Sequence, residues 1–157
     1  MIGELNEKEM HALLNSQLVG RIGCHEFGMV YIVPVSYAYD GADVYVHTYA
    51  GMKIDIMRTN PDVCFQVDNL SDIGNWKSVI AWGKYEEITD PLKRSHAVSL
   101  LMNRTLPLVS SATMHLGSTW PFQSDEPERI EGIVFKIAIN KMTGKFERSS
   151  NSPAVTG

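Results

Sequence analysis

The strongest constraint on the fold is a change of hydrophobic periodicity near residue 19. Apolar residues recur at helical spacing between residues 10 and 18, whereas runs rich in Val, Ile and Tyr, punctuated by glycine, follow. The dipeptide Asp40-Gly41, flanked by β-forming residues, predicts a tight hairpin. The chain beyond residue 19 is therefore predicted to be mainly antiparallel β structure.

Seven segments of the sequence fit strands and three fit helices. The strands are predicted at about 18–25, 29–39, 43–48, 63–67, 76–88 and 130–139, with a short last one after a turn at 141–144. The helices are predicted at 6–17, from Gly51 to the Asn60-Pro61 stop, and near 91–103. Many short strands with few helices favour a closed or partly closed β-barrel over a parallel sheet.

The domain organisation predicted from the sequence is simple. Residues 1–148 form one domain, and the polar segment 149–157 is predicted to be a disordered tail. Residues 104–128 hold several prolines and serines without clear periodicity, so they are predicted to be loops with at most one short helix, forming a lid or pocket wall.

Two residues inside the predicted strands point to local irregularity. Pro34 cannot donate a ladder hydrogen bond, so its strand is expected at a sheet edge, at a bulge, or beside a ligand. Gly83 interrupts the long strand 76–88 and predicts a bulge or a bend.

Charge and composition exclude several classes of partner. The 157 residues carry a net charge of −4, with lysines and arginines scattered singly, which argues against nucleic acid and anionic membrane surfaces. The charged N-terminal segment resembles neither a signal peptide nor a transmembrane helix, which needs roughly 20 apolar residues. The two cysteines, Cys24 and Cys64, fit free thiols, so a cytoplasmic location is expected.

Familiar catalytic and metal-binding motifs are missing from the sequence. The five histidines have no i, i+4 partner, and neither a nucleophile elbow nor a glycine-rich phosphate motif occurs. We therefore expect no metal site, no hydrolase chemistry and no common dinucleotide fold.

One candidate phosphate site lies at the segment 47–53. Here a strand ends at Thr48, Gly51 turns the chain, and a helix begins with Lys53 in its first turn. A helix N-terminus offers unpaired N–H groups to an anion, and a hydroxyl and an ammonium add to them. The alternative is a solvated lysine beside an ordinary strand end.

A second candidate cluster opens the long strand. Trp76, Lys77 and Ser78 bring an aromatic ring, a cation and a hydroxyl together. Trp76 is as compatible with core or dimer packing as with stacking on a ligand ring.

Taken in order, these segments resemble the pyridoxamine 5'-phosphate oxidase-like flavin-binding split barrels, in particular the branch related to nitroimidazole reductases. The resemblance rests on loose motifs whose order and spacing fit the family, and it is clearest over residues 13–88. Its carriers are Val19-Gly20-Arg21-Ile22-Gly23, Tyr31-Ile32-Val33-Pro34-Val35-Ser36-Tyr37, His47-Thr48 with Gly51 and Lys53, Asn60-Pro61 with Val63-Cys64-Phe65, and Ser78-Val79 with Gly83-Lys84.

The resemblance implies a split β-barrel that binds FMN across a homodimer interface. The isoalloxazine ring would lie against the proline-containing strand, and the phosphate would lie at the strand-to-helix turn. The implied cofactor-binding residues are Pro34, Val35, Ser36 and Tyr37 along the ring, His47 and Thr48 at its edge and ribityl chain, Lys53 at the phosphate, and Trp76, Lys77 and Ser78 as further contacts.

Two departures from the family pattern qualify what the resemblance implies. Met52 stands where relatives often carry an arginine, so one charge-assisted phosphate contact is missing, for which Arg21, Arg58 or an arginine of the partner chain is expected to compensate. The C-terminal substrate-binding segment of the long pyridoxamine oxidases is missing as well, which argues against pyridoxamine phosphate oxidation.

The resemblance leads to a first functional hypothesis, an FMN-dependent oxidoreductase acting on a small molecule. The flavin would carry the chemistry, and His47 is the candidate catalytic acid or base because imidazole titrates near neutral pH. The alternative is a purely structural role for His47, as a hydrogen-bonded residue at a strand end.

A second hypothesis belongs to a different class, a flavin- or haem-binding module without turnover. Haem needs an axial ligand, which His25, His47, His96 or His115 would supply. A deazaflavin is a third possible cofactor. Independently of the family, an edge strand with apolar surface favours a two-fold homodimer that covers it.

Overall fold

The computed structural model describes residues 1–104, 122 and 126–150. Its strands and helices follow one another along the chain as β1 (Ile2–Glu4), α1 (Glu7–Ser16), β2 (Val19–Glu26), β3 (Met29–Ser36), β4 (Ala38–Tyr39), β5 (Asp43–Thr48), α2 (Met52–Thr59), β6 (Asp62–Asp72), β7 (Asn75–Glu87), α3 (Pro91–Met102) and β8 (Ile133–Arg148). A single 3₁₀ turn, Pro127–Arg129, precedes β8. The fold is therefore mainly β with three α-helices, as predicted.

Local capping chemistry sets the helix starts. The Asn6 side chain accepts a hydrogen bond from the Glu9 N–H, and the Glu9 carboxylate accepts one from the Asn6 N–H, each over 2.9 Å. This reciprocal pair is a capping box, which satisfies two of the donors left open at a helix start. At α3 the Asp90 carboxylate accepts from the Lys93 N–H over 3.0 Å, with Pro91 in the first turn. Both predicted helix starts are confirmed.

The described strands form one antiparallel sheet in the order β3-β2-β6-β7-β8-β5-β4, with β1 paired to β8. Strand β3 lies beside β5 but forms no ladder with it, so the barrel is split along this line. Pro34 lies on β3, which is the edge strand that its missing N–H predicted. The split between β3 and β5 leaves backbone groups of the edge strand open to a ligand.

Alternation along the strands separates a packed interior from an outer face. Ile22, Phe65 and Ala81 occupy one row of the register and are fully buried. Helices α1 and α2 close this interior with Leu14 and Ile54. A smaller cluster forms where α3 packs on the other side of β4, β5 and β8. The large core is sufficient for a single domain of this size.

Two glycines occupy the positions where the sequence predicted a turn and a bend. Gly41 has φ +96°, the left-handed conformation that the β4–β5 hairpin requires, and the Asp40 carboxylate accepts from the N–H groups of Ala42 and Asp43. At Gly83 the β7–β8 register shifts, and a Cβ there would lie 2.2 Å from the Ala138 carbonyl oxygen. Both predictions are confirmed.

One strand was missed and three local predictions were wrong. Strand β1 was missed because its partner strand, β8, lies more than 140 residues away. The strand predicted at 29–39 breaks at Tyr37, and the one predicted at 63–67 continues to Asp72. The turn predicted at 141–144 does not form, because β8 stays paired with β7 through Gly144, with one register shift between Ile139 and Lys141.

The structure describes only part of the predicted loop 104–128 and of the predicted tail 149–157. Residues 105–121, 123–125 and 151–157 lie outside the described residues, so the lid prediction and most of the tail prediction are not addressed by the structure. At the start of the tail, the Ser149 N–H donates to the Asn75 side chain over 3.1 Å. None of the described helices combines the length and the hydropathy that crossing a bilayer requires.

Candidate functional site

The edge strand β3 presents only part of its predicted site to the outside. Pro34 and Ser36 are exposed, whereas the side chains of Val35 and Tyr37 are buried in the core. The Tyr37 hydroxyl donates to the Leu14 carbonyl oxygen over 2.6 Å, and burial raises the pKa of this phenol well above its usual 10. The side chains of Val35 and Tyr37 are therefore closed to a surface ligand, and the Tyr37 N–H already donates to the Leu18 carbonyl oxygen over 3.1 Å.

Arg104, which follows α3, contacts the end of this strand. Its guanidinium donates to the Ser36 hydroxyl, to the Tyr37 carbonyl oxygen over 2.9 Å and to the Leu101 carbonyl oxygen over 2.8 Å. Burial lowers the pKa of this guanidinium. Sequence reasoning missed Arg104, because its partners Ser36 and Tyr37 lie 68 and 67 residues away. A basic residue just after a helix was the available signal.

The strand-to-helix turn has the predicted geometry. Helix α2 begins at Met52, directly after Gly51, and the position of a Gly51 Cβ is open space. The first N–H groups of a helix have no partner within it, so this end can receive an anion. Lys53 is half-buried in the first turn, and no described carboxylate pairs with it.

The charge of Lys53 also acts on a thiol of β2. Burial raises the pKa of Cys24, the nearby Cys64 raises it further, and the positive charge of Lys53 lowers it. Helix α2, which carries Lys53, packs against β2, which carries Cys24. Both cysteines are free thiols.

His47, at the end of β5, is held on several sides. Its Nε2 lies 2.5 Å from the Glu131 carbonyl oxygen, which can only accept, so Nε2 carries the hydrogen. The ring also packs edge-on against Tyr49 and Phe122, with centroids 5.4 and 5.2 Å away. A Cβ at Gly132, where φ is +101°, would approach His47 Nε2 to 2.8 Å. The bond to Glu131 engages Nε2 and leaves Nδ1 as the other ring nitrogen.

The second predicted cluster lies on the first half of β7. The Trp76 indole N–H donates to the Glu147 carboxylate over 3.0 Å. The Ser78 hydroxyl accepts from the Gln66 amide over 3.1 Å. Lys77 between them is half-buried. Gln66 was not identified from the sequence, although its place one strand away from Ser78 makes it the residue that orients this hydroxyl.

The segment 47–53 and the cluster of Trp76, Lys77 and Ser78 lie at different ends of β8. His47 pairs with Val134 at the start of β8, whereas Ser78 pairs with Lys145 near its end. At about 3.3 Å per residue, these two positions are roughly 36 Å apart along the strand. In the strand order of the sheet, β2 and β6 lie between β3 and β7. The structure therefore brings Ser36, Thr48 and Lys53 to the split region but not Ser78.

The two arginines expected to compensate for Met52 are both engaged elsewhere. Arg21 lies 3.1 Å from the Asp68 carboxylate on the outer face of the sheet, and Arg58 lies 2.6 Å from the Glu87 carboxylate. Neither is a free cation beside the α2 N-terminus, so Lys53 is the cation that the structure offers there.

The described histidines are not grouped with other side chains that bind metals. In the part of the chain that the structure describes, no three residues of the His, Cys, Asp and Glu types are grouped as a metal site. His25 Nε2 lies 3.1 Å from the Asn60 amide nitrogen. His115, one of the haem ligands considered, lies outside the described residues.

An antiparallel barrel that is split beside a proline-containing edge strand, with a lysine in the first turn of the helix packed on β2, has the architecture of the split barrels. The sequence profile of the pyridoxamine 5'-phosphate oxidase family matches residues 6–146, and the chain belongs to this family.

Known proteins agree with this assignment. An uncharacterised protein of Rhizobium meliloti (strain 1021) is 34% identical over 149 residues, which cover 90% of this chain and 92% of the relative. The crystal structure of a FAD-binding protein from Mesorhizobium loti is 32% identical, with a TM-score of 0.71 over 93% of this chain and 98% of that one.

A more distant structure has the same fold. A candidate 5-nitroimidazole antibiotic resistance protein from Bacteroides thetaiotaomicron is 18% identical, with a TM-score of 0.70 over 93% of this chain and 87% of that one. At this level of identity the match shows the shared fold alone. The predicted family and the split-barrel fold are thus both confirmed.

Proposed function

We propose that the protein is an FMN-dependent oxidoreductase that acts on a small molecule. The observation that carries the proposal is the half-buried Lys53, which faces no described carboxylate and lies in the first turn of α2 beside the split edge. A positive side chain at an open helix N-terminus suits a phosphate monoester. The similarity to a FAD-binding protein at 32% identity supports a flavin as the group that carries this phosphate.

The edge strand would hold the ring. Pro34 and Ser36 offer exposed side chains, and their backbone groups also face the open side of β3. The backbones of Val35 and Tyr37 face β2 instead, since the Tyr37 N–H donates to the Leu18 carbonyl oxygen and Val35 pairs with Gly20. Thr48 would lie at the ribityl chain, and Lys53 with the α2 N–H groups would bind the phosphate. A flavin bound here supplies hydride or electron transfer, and the chain contributes its position and electrostatics.

We propose that a second copy of the chain supplies the remaining predicted contacts. Trp76, Lys77 and Ser78 lie on β7, which β2 and β6 separate from the edge strand β3. In a two-fold dimer each site occurs twice, so these residues of one subunit can complete the site of the other. We therefore propose a homodimer with the cofactor between the subunits.

The outer face of the sheet supplies apolar surface for this dimer. The strand register aligns Ile32, Cys64 and Trp82 in one row, with Val30 next to Ile32 on the same face. Val30, Ile32 and Trp82 are 73%, 69% and 39% exposed. Contiguous apolar side chains of this kind mark an interaction surface.

His47 is the proposed proton-transfer residue. The hydrogen bond from Nε2 to the Glu131 carbonyl fixes the ring and its tautomer, which leaves Nδ1 to take up or release a proton. We also propose a cytoplasmic location, since both cysteines are free thiols and a reducing compartment keeps them so.

The test is to identify what the purified protein carries. Protein expressed without added cofactor is expected to be yellow, and mass analysis of the extract is expected to give FMN in a ratio of one per subunit. Flavin-free protein should regain the yellow colour on titration with FMN. Colourless protein that takes up no flavin would refute the proposal.

FAD is the second candidate cofactor, because the Mesorhizobium loti protein that is 32% identical is described as FAD-binding. The same extraction separates FMN from FAD by mass, and from a deazaflavin by its absorption spectrum. A haem-binding or non-catalytic module would instead show a Soret band on titration with haem, or a bound flavin that no reductant or substrate turns over.

A further inference from the structure

A cavity of about 520 Å³ lies between the end of α1, the β3–β4 connection and the end of α3. Its wall includes polar side chains of Asn15, Gln17 and Asn103 and apolar ones of Leu18 and Leu100. The guanidinium of Arg104 forms part of the same wall. The cavity thus joins a small apolar volume to several hydrogen-bonding groups and one cation, the composition of a small-molecule site.

The charge of Arg104 is not neutralised within the described part of the chain. Its three described acceptors are a hydroxyl and two backbone carbonyls, and it takes part in none of the ion pairs among the described residues. A guanidinium stays charged at any ordinary pH, and its partial removal from water is costly without an anion. An anion in the cavity would offset that cost and accept from Nη2, the guanidinium nitrogen of Arg104 that has no acceptor among the described residues.

The position of Arg104 connects the cavity to the proposed cofactor site. The same guanidinium nitrogen donates to the Ser36 hydroxyl and to the Tyr37 carbonyl oxygen, on the strand proposed to line the flavin ring. We propose that Arg104 and this cavity bind the carboxylate of the substrate, so that the protein acts on small organic acids. The role in substrate binding rests on the proposed flavin function, whereas the anion site stands on the cavity and the guanidinium alone.

A structural role for Arg104 is the competing explanation. Its bond to the Leu101 carbonyl oxygen satisfies an acceptor at the end of α3, as basic residues often do at helix C-termini. This role predicts that loss of the guanidinium lowers stability and leaves anion affinity unchanged. The anion site predicts a loss of affinity that depends on the charge of the ligand.

The experiment compares benzoate with its neutral analogue benzamide. Each is titrated into the purified protein, with binding followed by calorimetry and by the absorbance of bound flavin. For Arg104→Gln the dissociation constant of benzoate is expected to rise about 10- to 100-fold, the range of a lost charge-assisted hydrogen bond. Benzamide affinity should change less than threefold. The control is Arg94→Gln on α3, which removes a guanidinium that donates to the Gly132 carbonyl oxygen. It should leave both affinities unchanged.

A second variant tests the same site without removing the guanidinium. Asn103→Asp places a negative charge on the cavity wall and is expected to weaken benzoate at least tenfold, with benzamide unaffected. Unchanged benzoate affinity in both variants, with only a lower melting temperature for Arg104→Gln, would overturn the anion site and leave a helix cap. Wild-type protein that binds no benzoate at millimolar concentrations would overturn it too. Calorimetry measures benzoate binding even in protein without flavin. A protein that binds benzoate but no flavin would therefore refute the flavin proposal and leave the anion site standing.

Discussion

The Tyr37 hydroxyl donates to the Leu14 carbonyl oxygen over 2.6 Å, and this bond joins the end of the edge strand to α1. Tyr37 is only 1% exposed, and its ring packs edge-on against Phe65 in the core. The next residue toward the N-terminus, Ser36, is exposed and meets Arg104. One buried anchor thus fixes the backbone that presents the proposed site.

Tyr37→Phe removes this anchor and nothing else of the ring. A buried carbonyl that loses its donor costs about 1–3 kcal/mol, so we expect the free energy of unfolding to fall by about that amount. Urea denaturation at neutral pH measures it. Tyr49→Phe, at a residue that is 64% exposed, is the matched control and should change stability by less than about 0.5 kcal/mol. Equal stabilities for Tyr37→Phe and wild type would contradict this account of the anchor.

Stability should fall when the pH rises above 10. Burial raises the pKa of Tyr37 well above its usual value, and burial together with Asp40, Asp43 and Glu7 raises that of Tyr39 to about 12. In the unfolded chain these phenols lose their protons near pH 10. Their contribution is therefore fully present below pH 10 and is lost as the pH rises toward the pKa of the folded state.

Urea midpoints at pH 8, 10 and 11 test this dependence. Wild type should lose stability between pH 10 and pH 11 more steeply than a Tyr37→Phe, Tyr39→Phe double variant. Parallel curves for the two proteins would show that these phenols do not cause the alkaline loss.

Features encoded by neighbouring residues were predictable from the sequence. The Asn6 and Glu9 capping box, the Asp40-Gly41 hairpin and the edge position of Pro34 each follow from side-chain chemistry within a few residues. The turn around Gly51 belongs to the same group, since a strand end, a glycine and a helix start are contiguous.

Features that depend on distant partners were not predictable. The contact of Arg104 with Ser36 spans 68 residues, and that of His47 with the Glu131 carbonyl spans 84. The unbroken course of β8 is likewise imposed by its pairing with β7, which overrides the local turn preference at residues 141–144. No local pattern carries this information, because tertiary pairing decides between alternatives that local propensity leaves nearly equal.

Lys53→Ala tests the phosphate site. Loss of one charge-assisted contact to a phosphate is expected to raise the dissociation constant of FMN about 10- to 100-fold. Lys77→Ala, which removes an equal charge on β7, should raise it less. Fluorescence titration of flavin-free protein measures both constants. Equal losses in the two variants would show that Lys53 is not the phosphate ligand.

Ile32→Glu tests the dimer. Ile32 ends the apolar row on the edge strand, and a charge there cannot be buried against a second copy without a large desolvation cost. We expect light scattering to give the monomer mass at micromolar concentration, together with weaker FMN binding. Leu92→Glu, at an 84% exposed residue of α3, is the control and should remain dimeric. A wild-type protein that is monomeric at every concentration would contradict both the dimer and the shared cofactor site.

His47→Gln separates catalysis from structure. The glutamine amide can still donate to the Glu131 carbonyl in place of Nε2, but it offers no titratable nitrogen in place of Nδ1. If Nδ1 transfers a proton, kcat should fall about 100-fold or more while FMN affinity and melting temperature stay near wild type. The pH profile of kcat should also differ in shape from that of wild type. His11→Gln, at a histidine that contacts Tyr39, is the control and should leave kcat unchanged. A kcat within threefold of wild type for His47→Gln would assign this ring to packing between Tyr49 and Phe122 rather than to proton transfer.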